Sequence, residues 1–201
     1  MENALIVSNS EKDAAFFSVM LNSASVSQIT CLKSVEEARR HILKNDFDLV
    51  IIDAPLKDES GESFSRYAAS KGISQVLLLI ESKLFDSVSI ACERDGVLPI
   101  SKPVDKVIFW SAILLAKSAQ NRIRRIQAEN AQLKQKIEDI RVIDRAKCLL
   151  ISTMKMSEQE SHRYIEKQAM DIRSTRRIVA EGILKRYDNY NNAEDRLVSQ
   201  I

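Results

Sequence analysis

DLVIIDAPLKDESG, residues 48–61, contains a run of aliphatic residues, Leu49–Ile52, that is apolar at every position. A strand that is apolar on both faces is typical of a parallel sheet covered by helices on each side. Asp53 follows the run directly, and polar and turn-forming residues come after it. The stretch therefore predicts a central parallel strand with an acidic group at its carboxyl end.

Strands and helices are predicted to alternate on both sides of this stretch. Segments with helical spacing separate it from four further predicted strands, which are Ala4–Val7, Val26–Leu32, Val76–Ile80 and Gly96–Ile100. Five β/α repeats within about 105 residues predict a doubly wound, flavodoxin-like α/β domain. Ligands of such sheets bind beyond the carboxyl ends of the strands. Ser8-Asn9, Asp53 and Lys102 are expected to converge at that edge.

The 48–61 stretch, together with SKP at 101–103, resembles the receiver domain of response regulators. The resemblance implies that Asp53 accepts a phosphoryl group and that Lys102 contacts it, and Gly61 matches a glycine of the family pattern. Receivers hold Mg²⁺ with an acidic pair after the first strand, where this chain has Ser8 and Asn9. Because Mg²⁺ prefers carboxylate oxygens, we expect a degraded Mg²⁺ site, no bound cofactor and slow phosphorylation.

Two more positions depart from the receiver pattern. Ile80 stands where receivers carry Thr or Ser at the end of strand 4, and Pro99 stands at the aromatic switch position. The domain is therefore interpreted as a pseudo-receiver. Two interpretations of Asp53 remain open: a working phosphate acceptor, or a residual ion pair with Lys102 that helps to hold the sheet edge together.

Charge is divided unevenly along the chain. Residues 1–116 hold 12 Lys+Arg and 16 Asp+Glu, a net charge of −4, whereas residues 117–201 hold 18 and 12, a net charge of +6. A basic half suggests contact with a polyanion. We expect no membrane partner and a cytoplasmic location, since no apolar run approaches the ~20 residues of a bilayer crossing and the three cysteines form no CxxC pair. Neither a catalytic constellation nor a metal site is visible.

A heptad pattern follows the α/β domain. Apolar residues recur at spacings of three and four, with one asparagine among them: Ile123, Ile126, Asn130, Leu133, Ile137 and Ile140. Traced backwards, the same register reaches Ala119, Ala116 and Ala112. One Asn at an a position favours a parallel two-stranded coiled coil. The alternative is that this helix packs on the first domain of its own chain.

Three short helices are predicted in the last third of the chain. The first ends the long helix near Thr153, a capping box of Ser157 and Glu160 opens the second, and Ser174 is expected to cap the third. Each helix is short, so the three are expected to pack together. Ala146, Ala169 and Ala180 place small residues on all three helices.

Residues 137–184 resemble the ANTAR domain, the RNA-binding module of bacterial transcription antiterminators. The resemblance is carried by Arg145-Ala146-Lys147, by MSEQE at 156–160, by Gln168-Ala169-Met170 and by Val179-Ala180. The order of parts resembles that of the amidase-operon antiterminator type of response regulator. The resemblance implies binding of paired leader-RNA hairpins, and basic and hydroxyl residues near the helix ends are the candidate contacts: Arg141, Arg145, Lys147, Lys167, Arg173, Ser174, Thr175, Arg176 and Arg177.

The predicted organisation has four parts. They are a receiver-like domain at 1–105, a coiled-coil linker helix at 106–144, an ANTAR domain at 145–187 and a flexible tail at 188–201. The predicted protein is a homodimeric antitermination regulator that binds RNA and is controlled by a protein partner on the pseudo-receiver, without enzymatic activity. The alternatives are a regulator activated by phosphorylation of Asp53 with the same RNA output, a DNA-binding response regulator, and a scaffold without nucleic-acid binding.

Overall fold

In the computed structural model, which describes residues 1–72 and 74–198, strands and helices alternate through the first hundred residues. The strands are β1 (Asn3–Ser8), β2 (Gln28–Leu32), β3 (Leu49–Asp53), β4 (Gln75–Glu81) and β5 (Val97–Lys102). The helices between them are α1 (Glu11–Ser23), α2 (Val35–Ile42), α3 (Glu62–Lys71) and α4 (Phe85–Glu93). All strand pairs are parallel, in the order β2-β1-β3-β4-β5. The predicted doubly wound α/β fold is confirmed.

The central strand β3 is buried along its whole length because helices cover both faces of the sheet. Ile51 belongs to one apolar cluster, which also contains Phe17 and Phe109. Val50 and Ile52 point the other way, into a second cluster with Phe64. This alternation explains why the strand is apolar at every position.

Gly61, which precedes α3, occupies a position that excludes a side chain. Its φ of +88° lies in the left-handed region, and an added Cβ would lie 3.1 Å from both Ala54 Cβ and Ile52 Cγ2. Glycine is therefore required on two counts, by backbone conformation and by close approach. The match of Gly61 to the receiver pattern has this physical reason.

Helix α5 (Lys106–Met154) is 49 residues long, and the chain divides into two compact units within it, 1–126 and 127–201. In the first unit, Phe109, Ala112, Ile113 and Ala116 are buried against the sheet. The backward extension of the heptad register to Ala112 and Ala116 was therefore wrong. On a straight α-helix, positions seven residues apart are rotated by about 20° relative to one another. Traced backwards along α5, the heptad positions therefore move round the helix to the side that faces the sheet.

The second unit contains the rest of α5 with α6 (Glu158–Asp171) and α7 (Arg176–Val198). The capping box of Ser157 and Glu160 is present as predicted. At the start of α7, however, the hydroxyl of Thr175, not that of Ser174, accepts the hydrogen bond from the Ile178 N–H, at 3.3 Å. The helix continues to Val198 because no Gly or Pro interrupts residues 183–198. Most of the predicted flexible tail at 188–201 is thus helical backbone, and residues 199–201 lie outside the described residues.

Candidate functional site

The carboxyl edge of the first unit's sheet brings Asp53 and Lys102 together. Parallel pairing sets Asp53 beside Ser8 at the end of β1, and Lys102 ends β5. Lys102 Nζ forms an ion pair with the buried Asp53 carboxylate, and Ser8 Oγ donates a 2.6 Å hydrogen bond to Asp53 Oδ2. Both carboxylate oxygens are therefore in contact with side chains of this chain, Oδ1 through the charge of Lys102 and Oδ2 through the Ser8 hydrogen bond.

Ser8 and Asn9 stand where receivers carry an acidic pair, and both contact this edge of the sheet through neutral side chains. Ser8 binds Asp53 as described, and Asn9 Nδ2 donates to the carbonyl oxygen of Pro55 at 3.1 Å. Ile80, near the end of β4, is buried in the apolar cluster on one face of the sheet. Isoleucine has no hydroxyl, in contrast to the Thr or Ser that receivers carry at this position. No group of three or more His, Cys, Asp or Glu side chains suited to a metal ion occurs among the described residues.

A cavity of about 370 Å³ lies next to Asp53, and it includes two charged residues that the sequence analysis missed. Lys12 and Asp13, from the first turn of α1, line it beside Lys102. Sequence reasoning searched the strand ends, whereas these side chains come from a helix start. Asp13 follows Ser8 by only five residues, and this short distance from the end of β1 was the signal that could have found it. The cavity is thus lined by two cations and two carboxylates.

Small residues form the centre of the second unit. Ala146 and Ala180 are fully buried and Ala169 is nearly so, one on each of the three helices. They pack with Leu150, Ile165 and Val179. Side chains this small let the helices approach closely, so the three alanines act in packing. Tyr164 is half-buried against the same cluster, and it also lines a groove of about 450 Å³.

Four of the predicted RNA-binding cations have acidic partners inside the second unit, and Lys147 and Arg177 are the least exposed of the four. Lys147 is only 16% exposed, and its ammonium lies 2.9 Å from Asp144 and 3.2 Å from Glu158. Arg177 joins α7 to α5 through Asp139 at 2.6 Å and also contacts Glu181 at 2.8 Å. These two side chains bridge helices. Lys147 is therefore expected to contribute to the stability of the second unit.

Most of the other predicted contacts meet at the turn between α6 and α7. A groove of about 950 Å³ there is lined by Lys167, Arg173, Ser174, Thr175 and Arg176 together with acidic and apolar neighbours. Lys147 lies at the other end of α6, since Glu158 is the first residue of that helix and Arg173 follows its last turn. Fourteen helical residues, about 21 Å, separate the two ends. The structure therefore does not bring Lys147 together with Arg173–Arg177.

Arg163 is a basic groove residue that the sequence analysis missed. It is exposed on α6 and lines both the 950 Å³ and the 450 Å³ grooves, as Lys167 does. The two lie four residues apart and so share a helix face. That spacing was the signal that could have found Arg163. We call Arg163, Lys167 and Arg173 the basic ridge; none of the three has an ion-pair partner in the part of the chain that the structure describes.

Backbone geometry presents Arg173 at the turn. Its φ of +51° is left-handed, and the Ser174 N–H bonds to the carbonyl oxygen of Ala169 at 2.8 Å, which closes the end of α6. Arg176 is also exposed but lies 3.1 Å from Glu166. The predicted contacts Arg141 and Arg145 are exposed on α5, and Arg141 lies 3.7 Å from Glu138.

The predicted coiled-coil residues are exposed to solvent in the single chain. Ile126 is 44% exposed, and the second unit shows the same for its large aliphatic residues: Leu133 at 56%, Ile137 at 53% and Ile140 at 58%. Ile123 is half-buried and Asn130 is exposed. A helix that places regularly spaced aliphatic residues in water is stabilised when another apolar surface covers them.

Comparison with known proteins agrees with both halves of this structure. The ANTAR domain model matches residues 131–184, which begin inside the segment assigned above to the linker helix. The transcriptional regulatory protein PdtaR of Mycobacterium tuberculosis is 31% identical over 138 residues, which cover 69% of this chain and 67% of PdtaR.

The first unit is similar to solved receiver domains. One is the signal receiver domain of an HD domain-containing protein from Pseudomonas fluorescens Pf-5, with a TM-score of 0.55 at 18% identity, covering 62% of this chain and 92% of that one. Another is a CheY-like receiver domain protein from Methanospirillum hungatei JF-1, with a TM-score of 0.53 at 17% identity, covering 61% and 98%.

The helices that the structure describes include none long and apolar enough to cross a membrane. Three findings indicate the same family: the sheet order of the first unit, the three helices of the second unit and the similarity to PdtaR. The chain belongs to the ANTAR-domain transcriptional regulators of the response-regulator type, with a receiver fold at its N-terminus.

Proposed function

We propose that this protein is a transcription antiterminator that binds hairpins of a leader RNA through its C-terminal unit. The observation that carries the proposal is the basic ridge, Arg163, Lys167 and Arg173, whose exposed cations line two adjoining grooves. Unpaired loop bases of RNA are commonly bound by cationic contacts to phosphates and by stacking on planar side chains. The grooves offer both kinds of group, since Tyr164 lines the smaller one.

The start of α7 adds neutral donors to the same surface. Free N–H groups and the positive end of the helix dipole favour phosphate at a helix N-terminus. Ser174 and Thr175 line the groove beside that terminus. A phosphate at this point would lie near Arg173 and Arg176, so RNA binding is expected to weaken steeply with salt.

The dimer in this proposal forms through α5. Exposed Ile126, Leu133, Ile137 and Ile140 make a seam that a second copy of the helix covers. Two joined RNA-binding units match a target of two hairpins, because the second contact becomes intramolecular once the first is made. A bound pair of hairpins would keep a terminator from forming, so polymerase would read through. Leader transcripts are made in the bacterial cytoplasm, and the proposal places the protein there.

The receiver fold serves as the regulatory domain in this proposal, controlled by a protein partner. Asp53 is occupied by Lys102 and by Ser8, and neutral side chains replace the acidic pair. Phosphoryl transfer to an aspartate depends on a metal that neutralises charge. The cavity beside Asp53 has one further carboxylate in its lining, that of Asp13 on α1, and is a poor Mg²⁺ site, which favours control by protein contact.

The experiment that tests the proposal is crosslinking in cells, followed by sequencing of the RNA that copurifies. We expect one leader region with two adjacent hairpins. Purified protein should then increase transcription read-through on a template carrying that leader. Competition with duplex DNA of the same sequence should leave RNA binding intact. Preferential binding of the duplex would support a DNA-binding regulator instead, and recovery of no nucleic acid would support a scaffold.

A further inference from the structure

The cavity beside Asp53 combines charged groups with apolar side chains in one lining. The charged groups come from the strand ends and from the first turn of α1: Lys12, Asp13, Asp53 and Lys102. The apolar lining comes from the next turn of α1 and from the connection that follows β5: Phe16, Phe17, Pro103 and Val104. Its volume of about 370 Å³ is at the lower end of the range for small-molecule pockets, about 300–1,000 Å³. Such a lining suits a small amphipathic molecule.

Charged side chains in the first turn of α1 differ in whether they have a partner within the chain. Glu11, which does not line the cavity, forms an ion pair with Lys33 at 2.7 Å. Lys12 and Asp13, which do line it, have neither an ion pair nor a side-chain hydrogen bond with any described residue. The cavity therefore offers a ligand one positive and one negative charge that no described side chain neutralises.

The buried Asp53 carboxylate, in contrast, is already compensated. Lys102 Nζ pairs with it, and the same ammonium group donates to the carbonyl oxygen of Ala54. The lining as a whole has two positive and two negative charges, so a ligand with charge of one sign only meets repulsion as well as attraction. A ligand that carries one charge of each sign finds a partner for both.

Aromatic rings give the apolar part of the cavity a fixed shape. The ring centroids of half-buried Phe16 and buried Phe17 lie 5.6 Å apart. Both rings also pack on Phe109 of α5, with centroid distances of 5.9 and 4.9 Å. Because these rings are already held in place, an apolar ligand group that contacts them is removed from water at little cost in ordering the protein.

We propose that this cavity binds a free α-amino acid with an apolar side chain, its carboxylate at Lys12, its ammonium group at Asp13 and its side chain against Phe16. An α-amino acid carries its two charges close together, as these neighbouring residues require. The ligand also contacts Pro103 and Val104, which lead directly into α5. A free amino acid is then a signal that the receiver fold senses at the start of the long helix. The inference goes beyond the proposed RNA binding and does not depend on it.

Isothermal titration calorimetry of the full chain with L-leucine and L-phenylalanine tests the proposal. We expect saturable binding with a Kd of about 0.01–1 mM, in keeping with so small a ligand. The matched ligand controls are the amine that lacks the carboxylate and the acid that lacks the ammonium group, which for phenylalanine are phenethylamine and hydrocinnamate. Each should bind at least tenfold more weakly than the amino acid, and inorganic phosphate should not bind.

Two variants place the ligand in this cavity. Lys12→Ala and Asp13→Ala should each raise the Kd at least tenfold, because each removes the partner of one ligand charge. Glu11→Ala and Lys57→Ala remove exposed charges that do not line the cavity, and both should bind like the parent. Three results would each overturn the inference: no saturable binding of either amino acid up to about 10 mM, equal affinity for a one-charge analogue, or an unchanged Kd in Lys12→Ala or Asp13→Ala.

Discussion

At the residue scale, basic side chains of the second unit differ in what they contact. Lys147 and Arg177 bridge helices through acidic partners, whereas the three residues of the basic ridge are exposed. The same residue types therefore serve packing in one place and are available for a polyanion in another. Sequence composition assigns both groups to one basic set, and only the position of the acidic partners separates them.

Replacement of Lys147 by Ala should destabilise the second unit. The hydrogen bond to Asp144 raises the pKa of Lys147, and the hydrogen bond to Glu158 acts in the same direction, outweighing burial. A raised pKa means that the stabilisation is fully present at neutral pH and is lost as pH rises through the folded-state value. We expect the free energy of unfolding to fall by about 1 kcal/mol. Arg145→Ala is the control, because Arg145 is exposed. Equal melting temperatures for both variants at pH 7, measured by circular dichroism, would contradict this role.

Asp53 should resist phosphorylation by a small-molecule phosphodonor. Lys102 and Ser8 occupy its carboxylate, and Asn9 offers no negative charge for Mg²⁺. Incubation with phosphodonor and Mg²⁺ should therefore leave the intact mass unchanged, while a receiver with both acidic residues gains about 80 Da under the same conditions. A stable adduct of that mass that disappears in Asp53→Asn would show a working acceptor.

At the scale of secondary-structure elements, α5 is fixed to the sheet by a buried carboxylate as well as by apolar packing. Asp48 Oδ1 accepts hydrogen bonds from Gln120 at 3.2 Å and from Arg124 at 2.7 Å. Its other oxygen accepts from the main-chain N–H groups of Glu2, at 2.5 Å, and of Asn3, at 3.3 Å. One side chain thus joins α5 to the start of β1.

Acid should release this contact. Burial acts to raise the pKa of Asp48, but the N–H groups of Glu2 and Asn3 and the charge of Arg124 outweigh it, and the pKa is lowered. A lowered pKa gives stability that is present above the ordinary carboxyl value and is lost as pH falls through the folded-state value. Asp48→Asn should be less stable than the parent at pH 7, and the difference should shrink below about pH 4. Exposed Asp46→Asn is the control. A difference that is constant with pH would refute the role of the ionised carboxylate.

The polar position in the seam should set the number of strands in the coiled coil. Asn130→Ile should raise the melting temperature of the dimer and allow trimers or tetramers, because a single Asn at an a position specifies a pair at a cost in stability. Asn121→Ile, on the same helix but outside the seam, should change neither property. Sedimentation that shows a monomer for both the parent and Asn130→Ile would refute the coiled coil.

Elements whose signals are local in sequence could be predicted, whereas contacts that depend on packing could not. The apolar run at 49–52 and the capping box of Ser157 and Glu160 can each be identified from a few neighbouring residues, and both are found as predicted. The sequence left open whether this helix forms a coiled coil or packs on the first domain, because the heptad spacing does not show when one side of a helix meets a sheet, as it does at Ala112 and Ala116. The contact of Lys147 with Glu158 also depends on tertiary packing, whereas Asp144 lies three residues before Lys147 on the same helix.

At the scale of the whole molecule, the charge changes sign along the chain at about residue 116, within α5 and before the boundary between the two units. The first 116 residues have a net charge of −4 and carry the receiver fold, whereas the remaining 85 have a net charge of +6 and carry the ANTAR domain. In the proposed function, the acidic first 116 residues repel a polyanion that the basic remainder of the chain attracts. Under the proposed function, this separation directs RNA to the basic part of the chain and leaves the receiver surface for protein contacts.

The most direct test of RNA binding by the basic ridge is a fluorescence-anisotropy titration at several salt concentrations. The labelled ligand is the leader RNA that the crosslinking experiment identifies. Lys167→Ala and Arg173→Ala should each weaken binding by about 1–2 kcal/mol, roughly 5- to 30-fold. Each should lower the slope of log Kd against log salt by about one unit, because one phosphate contact is lost. Lys185→Ala, an exposed charge on α7 that does not line either groove, should bind like the parent. Parent-like affinity and slope in both ridge variants would contradict the account.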